Sequence, residues 1–287
     1  MPSSPATPLS LPTLIGFSLK FFFFGILFVQ FYIYHIHFPK DPWIFKCIVY
    51  FLFSAILVEV CLGAADVHAL FAISFTDMRS FRQQTYMKII GPILSSVCSV
   101  IVHFFFCYRI YRIRRSAWPL CIVIAFLAIV GLGGGIGDSA AGIIARSAFS
   151  RDSFHNRLHT ATVFAWLGAG AATDVLIAVI MTVLLSQTEL SHSTRNTSKK
   201  IIVLIVETNT LSATCALLFL FFYKFIPNTL YCVIPGFSLS GIYANTLLIT
   251  LNNRAVMRRA AVDEESSSMS GLQNASTLAS RRTGGTV

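Results

Sequence analysis

The chain has 287 residues, of which 55% are hydrophobic and only 12% are charged. An average soluble domain carries about twice that charged fraction, so the composition excludes a soluble enzyme, a disordered protein and a coiled coil. A formal net charge of +10 suggests nucleic acid as the partner of a soluble protein. In a chain this apolar, the basic residues instead indicate how the protein is oriented in a membrane, and no nucleic-acid partner is expected.

Seven apolar stretches follow one another along the chain, and each reaches the roughly 20 residues that a helix needs to cross a bilayer. They cover residues 14–36, 46–71, 87–111, 119–145, 160–186, 201–225 and 230–251. The sequence therefore predicts an all-α integral membrane protein, a bundle of seven transmembrane helices with the lipid bilayer as its surroundings. Because the connecting loops are short, consecutive helices are expected to be neighbours in one bundle.

The distribution of basic residues predicts the orientation of this bundle. With the N-terminus outside, twelve Lys and Arg residues lie near the inner ends of the helices and seven lie near the outer ends. Short cytosolic loops are enriched in Lys and Arg, so the excess predicts an outer N-terminus and a cytosolic C-terminus. The plasma membrane is expected rather than an internal membrane.

Three segments are predicted along the chain. Residues 1–13 form a short N-terminal tail that lacks the basic start of a cleavable signal peptide, and residues 14–259 form the membrane domain. Residues 260–287 are rich in Ser, Thr and Gly and poor in hydrophobic residues, which predicts a disordered tail. This tail is interpreted first as a solvated end and second as a segment for phosphorylation or adaptor binding.

Ionisable side chains inside the spans need a partner or a function, because an isolated charge in hydrocarbon costs at least a few kcal/mol. At a rise of about 1.5 Å per residue, Lys20, Glu59 and Asp138 lie in the predicted outer half of the membrane. They predict a charge cluster in which Lys20 is neutralised by one of the two acids. The cluster is interpreted as a structural ion pair or as an outward-opening site for a cation, a proton or a ligand amine.

A second group of polar side chains lies deeper, on the fifth, sixth and seventh predicted helices. Asp174, Asn209 and Asn245 fall within about 10 Å of one depth at the helical rise, and their carboxyl and amide groups have complementary hydrogen-bonding capacity. Lipid offers no such partners, so the sequence predicts one buried polar cluster of these three residues. His103 on the third helix is expected to make an interhelical hydrogen bond rather than to bind a metal.

The glycine run at 131–138 looks at first like a phosphate-binding loop, but it lies within an apolar span rather than after a strand. It is interpreted as a surface for close helix packing or as a flexible break in the fourth helix. His155 and His159 have the spacing of metal ligands on a helix, yet the other intramembrane histidines lie at different depths. The sequence therefore predicts neither a metal site nor an enzyme, and it implies no cofactor.

Several motifs occur in the order typical of one family of membrane proteins. They are QFYIY at 30–34, KDPW at 40–43, FFFCYRIY at 104–111, DVLIA at 174–178, TNT at 208–210, IYANTLL at 242–248 and LNNR at 251–254. Together they resemble the multi-pass membrane proteins of mushroom-forming (basidiomycete) fungi that carry the 6534 domain of unknown function. The resemblance implies a seven-helix membrane fold and a fungal origin.

This family has no established activity, so the resemblance implies no catalytic residues. The chain also departs from the family pattern at four positions. Glu59 stands where an Asp is usual, Leu62 where a His is usual, His103 where a Gln is usual, and Leu211 where a Gly is usual.

The favoured interpretation is a non-enzymatic receptor or sensor with a cavity among the helices for a small-molecule ligand. Its inner loops or tail would then bind a cytosolic partner. A secondary carrier of protons or small solutes is the first alternative, and a structural membrane protein is the second. Many carriers contain inverted repeats, and the two halves of this sequence show no convincing similarity, which places the receptor first.

Overall fold

A computed structural model describes residues 7–73, 86–147, 157–187, 192–226 and 229–254. Within these ranges, seven helices are long and apolar enough to span a membrane. They are α1 (Thr7–His37), α2 (Trp43–Val67), α3 (Tyr86–Ile113), α4 (Trp118–Ser147), α5 (Arg157–Gln187), α6 (His192–Phe225) and α7 (Val233–Arg254). The prediction of an all-α membrane bundle with seven spans is thereby confirmed.

The connections add short helical pieces to this plan. A π-helical segment, His68–Ile73, continues α2, and a 3-10 turn, Arg115–Ala117, leads into α4. Helix α1 begins at Thr7, so part of the predicted N-terminal tail is helical, and the proline that follows suits a first helical turn. The predicted C-terminal tail at 260–287 lies outside the described residues.

Consecutive helices run antiparallel, as the short loops require. Lys20 of α1 meets Glu59 of α2, whereas Phe31, farther along α1, stacks on Phe53, which comes earlier in α2. We call the end of the bundle at which α1, α3, α5 and α7 begin the amino end, and the opposite end the carboxyl end. Helix α7 runs parallel to α1, because the side chains of Asn245 and Asn252 donate to the carbonyls of Phe23 and Gln30, in the same order along both helices.

Helix α7 is the central helix of the bundle. Inside the protein, 72% of its most apolar stretch is buried, against 28% for the corresponding stretch of α1. Glycines allow its neighbours to approach closely: a Cβ at Gly241 would lie 2.9 Å from Cβ of Phe23 on α1, and one at Gly236 would lie 2.7 Å from Phe219 on α6. Since protein rather than lipid surrounds α7, it can carry polar side chains on several faces.

The outward faces of the other helices are apolar. Phe22, Phe126 and Phe221 have half or more of their surface exposed. Exposed apolar surface on this scale is rare in soluble monomers and is matched by lipid acyl chains. The exposed apolar faces therefore suit contact with lipid.

The glycine run of α4, at 131–138, packs closely against two helices. A Cβ at Gly134 would lie 2.8 Å from the backbone Cα of Trp166 on α5, and one at Gly135 would lie 2.5 Å from Oγ of Ser96 on α3. The α4 helix is continuous through this run, so there is no break at these glycines. Of the two interpretations, close packing is the one that the structure shows.

Candidate functional site

The first buried polar group joins α1, α2 and α7 in the half of the bundle nearer the amino end. Nζ of Lys20 donates to Oε2 of Glu59, and the two side chains are 3% and 1% exposed. Oγ of Ser240 donates to the same carboxylate oxygen at 2.7 Å. The opposite charges satisfy each other in a region where a lone charge would be costly. We call Lys20, Glu59 and Ser240 the Glu59 network.

The third residue predicted for this cluster, Asp138, lies elsewhere. Its carboxylate is 3.1 Å from Nε2 of His159 on α5, and Nδ1 of that imidazole is 3.0 Å from Oη of Tyr223 on α6. This corrects the predicted membership: α4 packs against α3 and α5, so Asp138 finds its partner there and not on α1. His155, the other member of the histidine pair, lies outside the described residues.

The second buried polar group surrounds Asp174 of α5, whose side chain is fully buried. Oγ of Ser212 on α6 donates to its carboxylate at 2.6 Å, and Oη of Tyr243 on α7 donates at 2.9 Å. Nε2 of His103 on α3 lies 3.0 Å from the other carboxylate oxygen, and Nδ1 of His103 lies 3.4 Å from Oγ of Ser99. We call these five residues the Asp174 network.

His103 thus makes the interhelical hydrogen bond that was expected of it. Asp174, near the middle of the bundle, ties α3, α6 and α7 to α5. Such a carboxylate can accept several hydrogen bonds at once, and the neighbouring imidazole can exchange a proton with it. The arrangement is therefore suited either to holding these helices together by hydrogen bonds or to exchanging a proton.

The two asparagines predicted to join Asp174 make their hydrogen bonds elsewhere. Nδ2 of Asn209 donates to the carbonyl of Ile205 one turn earlier on α6. Nδ2 of Asn245 donates to the carbonyl of Phe23 on α1. Both asparagines are buried as predicted, but the membership of the cluster is corrected.

The geometry of α7 explains why a prediction from depth alone named the wrong partners for Asp174. Tyr243 and Asn245 are two residues apart, which separates them by roughly 200° around a helix of 3.6 residues per turn. Tyr243 therefore faces Asp174, while Asn245 faces α1. The sequence analysis did not assign Ser212 and Tyr243 to this cluster. Their sequence indicates a buried role only because their hydroxyl groups lie within apolar spans.

Helix α7 brings the two networks close together. Ser240 and Tyr243 are three residues apart on α7, so they share one side of the helix. The two networks thus form a polar strip from the amino half to the middle of the bundle.

A third polar contact fastens α7 at the carboxyl end. Nη2 of Arg254, in the last turn of α7, donates to Oδ2 of Asp41 at 2.5 Å, and Oη of Tyr34 donates to the same oxygen at 3.1 Å. The guanidinium also lies 4.9 Å from the ring centroid of Phe38. Helix α7 is therefore tied to its neighbours both at mid-depth and at this end.

A comparison with known protein families gives a match to part of the chain. Residues 170–256 match a family described as "Family of unknown function (DUF6534)". The matched segment runs from within α5 to the end of α7, and it contains Asp174, Ser212, Ser240 and Tyr243. It supports the resemblance to proteins with the 6534 domain. No curated protein and no solved structure matches the chain.

Proposed function

We propose that this chain is a seven-helix membrane receptor or sensor whose switch is the Asp174 network. The observation that carries the proposal is that a fully buried carboxylate hydrogen-bonds to side chains of three other helices. Ionisable groups inside a membrane are costly and by default mark functional sites. The proposed function is non-enzymatic and needs no cofactor.

The arrangement supports a sensor because a switch requires an element with two packed states. A small-molecule ligand with its own hydrogen-bond donors would compete for Asp174 and release Tyr243 of α7. A shift of α7 would then reach the carboxyl end through Arg254 and Asp41. The ligand would shift the equilibrium between the two packed states by the difference between its binding free energies for those states.

In the proposed orientation, this output lies on the cytosolic side. The excess of basic residues near the carboxyl end supports an outer N-terminus and a cytosolic C-terminus, and the plasma membrane is the proposed location. A cytosolic partner would then bind the inner loops or the tail. A basidiomycete source is proposed from the resemblance carried by the ordered motifs.

Recovery of a bound ligand from the purified protein tests this proposal. Native mass spectrometry would compare the wild type, Asp174→Asn and the matched control Thr173→Val. Thr173 is equally buried but donates only to the carbonyl of Ala169 on its own helix. We expect a small molecule on the wild type and on the control but not on Asp174→Asn. Equal retention by all three proteins would overturn the proposal.

A proton-coupled carrier is the second candidate, and the pairing of His103 with Asp174 favours it. Buried His and acidic residues commonly form proton relays in membrane transporters. Proteoliposomes loaded with a pH-sensitive dye would show proton movement by the wild type and by Thr173→Val. Loss of that flux in Asp174→Asn would establish the carrier and replace the receptor.

A further inference from the structure

Two buried oxygen atoms beside the Glu59 network have no hydrogen-bond partner among the described residues. One is Oε1 of Glu59, the carboxylate oxygen that neither Lys20 nor Ser240 contacts, and the other is Oγ of Ser95 on α3. The side chain of Glu59 is 1% exposed and Ser95 is 4% exposed. Buried polar atoms in native proteins are almost always hydrogen-bonded. We therefore expect both oxygens to bind a group that the described residues do not supply.

The register of α2 and α3 places these oxygens at one depth. The backbone N–H of Met87 on α3 donates to the carboxylate of Asp66 on α2 at 2.9 Å, which fixes the pairing near the amino end. Glu59 lies seven residues from Asp66, and Ser95 lies eight residues from Met87. At about 1.5 Å per residue these distances are roughly 10 and 12 Å, so the two levels agree to about 2 Å.

The helical position of Ser95 directs it toward the interior of the bundle. It lies one turn before both Cys98 and Ser99, and residues three and four apart share a helix face. Cys98 is fully buried, and Ser99 contacts His103 in the bundle centre. Ser95 therefore faces the interior of the bundle, at the depth of Glu59.

We propose that Glu59 and Ser95 bind a water molecule inside the bundle. The charge of Glu59 is already balanced by Lys20, so the occupant is neutral. Water can donate to Oε1 of Glu59 and accept from the hydroxyl of Ser95, which satisfies both orphan oxygens. Buried waters in proteins characteristically bridge polar groups of this kind. This site is independent of the proposed receptor function, because it requires only the Glu59 network.

Radiolytic hydroxyl-radical labelling tests the proposal, because radicals form from bound water inside a protein and oxidise the nearest thiol. The variants are Ser95→Cys and the matched control Ser96→Cys. Both positions are buried at nearly the same depth, but Ser96 faces Gly135 of α4. We expect mass spectrometry to show several-fold faster oxidation of the thiol at position 95. Equal rates at the two positions would overturn the bound water.

A second measurement uses the unaltered chain and needs no variant to fold. Cys98 is fully buried one turn after Ser95, whereas Cys107, also buried on α3, has its thiol directed to the carbonyl of Cys121. We expect radiolytic oxidation of Cys98 to be several-fold faster than that of Cys107. Oxidation of Cys98 no faster than that of Cys107 would contradict the proposal.

Discussion

At the scale of single residues, Asp174 is the position whose loss affects the most helices at once. Asp174→Leu would remove the acceptor that the side chains of His103, Ser212 and Tyr243 share, and of these Ser212 keeps the carbonyl of Asn209 as a second acceptor. Each unsatisfied buried donor costs about 1–3 kcal/mol, although measured hydrogen bonds in membranes average only about 0.6 kcal/mol. We expect Asp174→Leu to lower the melting temperature in detergent clearly more than Asp174→Asn, which keeps the shape and one acceptor oxygen.

Thr173→Val provides the baseline for that comparison, because Thr173 is buried but bonds only within α5. It should change the melting temperature least of the three variants. If Asp174→Leu were as stable as Asp174→Asn, the three hydrogen bonds would contribute nothing measurable to folding.

The pairing of Lys20 with Glu59 is a second prediction at the residue scale. Lys20→Met or Glu59→Gln alone leaves one buried charge uncompensated, which costs about 3–5 kcal/mol. The double variant should lose much less stability than the sum of the two single losses, as measured by thermal or denaturant unfolding. A matched cycle with Asp138→Asn should be additive with Lys20→Met, since Asp138 lies beside His159. Strict additivity of Lys20→Met and Glu59→Gln would contradict the ion pair.

At the scale of helices, small residues decide which neighbours approach closely. Within α4, a Cβ at Gly134 would meet the backbone of Trp166, which cannot rotate away, whereas nothing lies within 4 Å of a Cβ at Gly133. We expect Gly134→Ala to lower the melting temperature. Gly133→Ala should be neutral or stabilise the protein by up to about 1 kcal/mol, because alanine favours the helix. Equal effects of the two substitutions would show that α4 and α5 do not pack through Gly134.

Helix α7 shows how polarity and burial go together in this fold. It is the least hydropathic of the seven spans and also the most buried. Polar groups of a span are satisfied inside the bundle, because lipid offers no hydrogen-bond partners. A central helix can therefore hold Ser240, Tyr243 and Asn245, each bonded to a different neighbouring helix.

At the scale of the whole molecule, the orientation in the membrane is open to a direct test. Asn196 and Asn274 both begin glycosylation acceptor motifs, with Ser198 and Ser276. With a cytosolic C-terminus both should stay unmodified when the chain is expressed in a eukaryotic cell. An acceptor motif appended ahead of Met1 should instead give a glycosidase-sensitive shift on a gel. A shift of the native chain that Asn274→Gln abolishes would reverse the orientation.

Sequence alone determined the fold class, because the thickness of the bilayer sets the length of a spanning helix and all seven stretches meet it. It also determined that Lys20, Glu59 and Asp174 need partners, since the cost of a buried charge does not depend on the arrangement of helices. These conclusions rest on length, polarity and depth, which can be read along one chain.

Only the tertiary structure decided which side chains meet. From its depth in the membrane, Asn245 was predicted to lie beside Asp174. Tyr243, two residues earlier, lies on a different side of α7, and it contacts Asp174, whereas Asn245 contacts α1. Likewise, Asp138 lies beside His159 because α4 packs against α3 and α5. The order of the helices and the rotation of each helix about its own axis follow from close packing between neighbouring helices. Neither can be read from the sequence of a single helix.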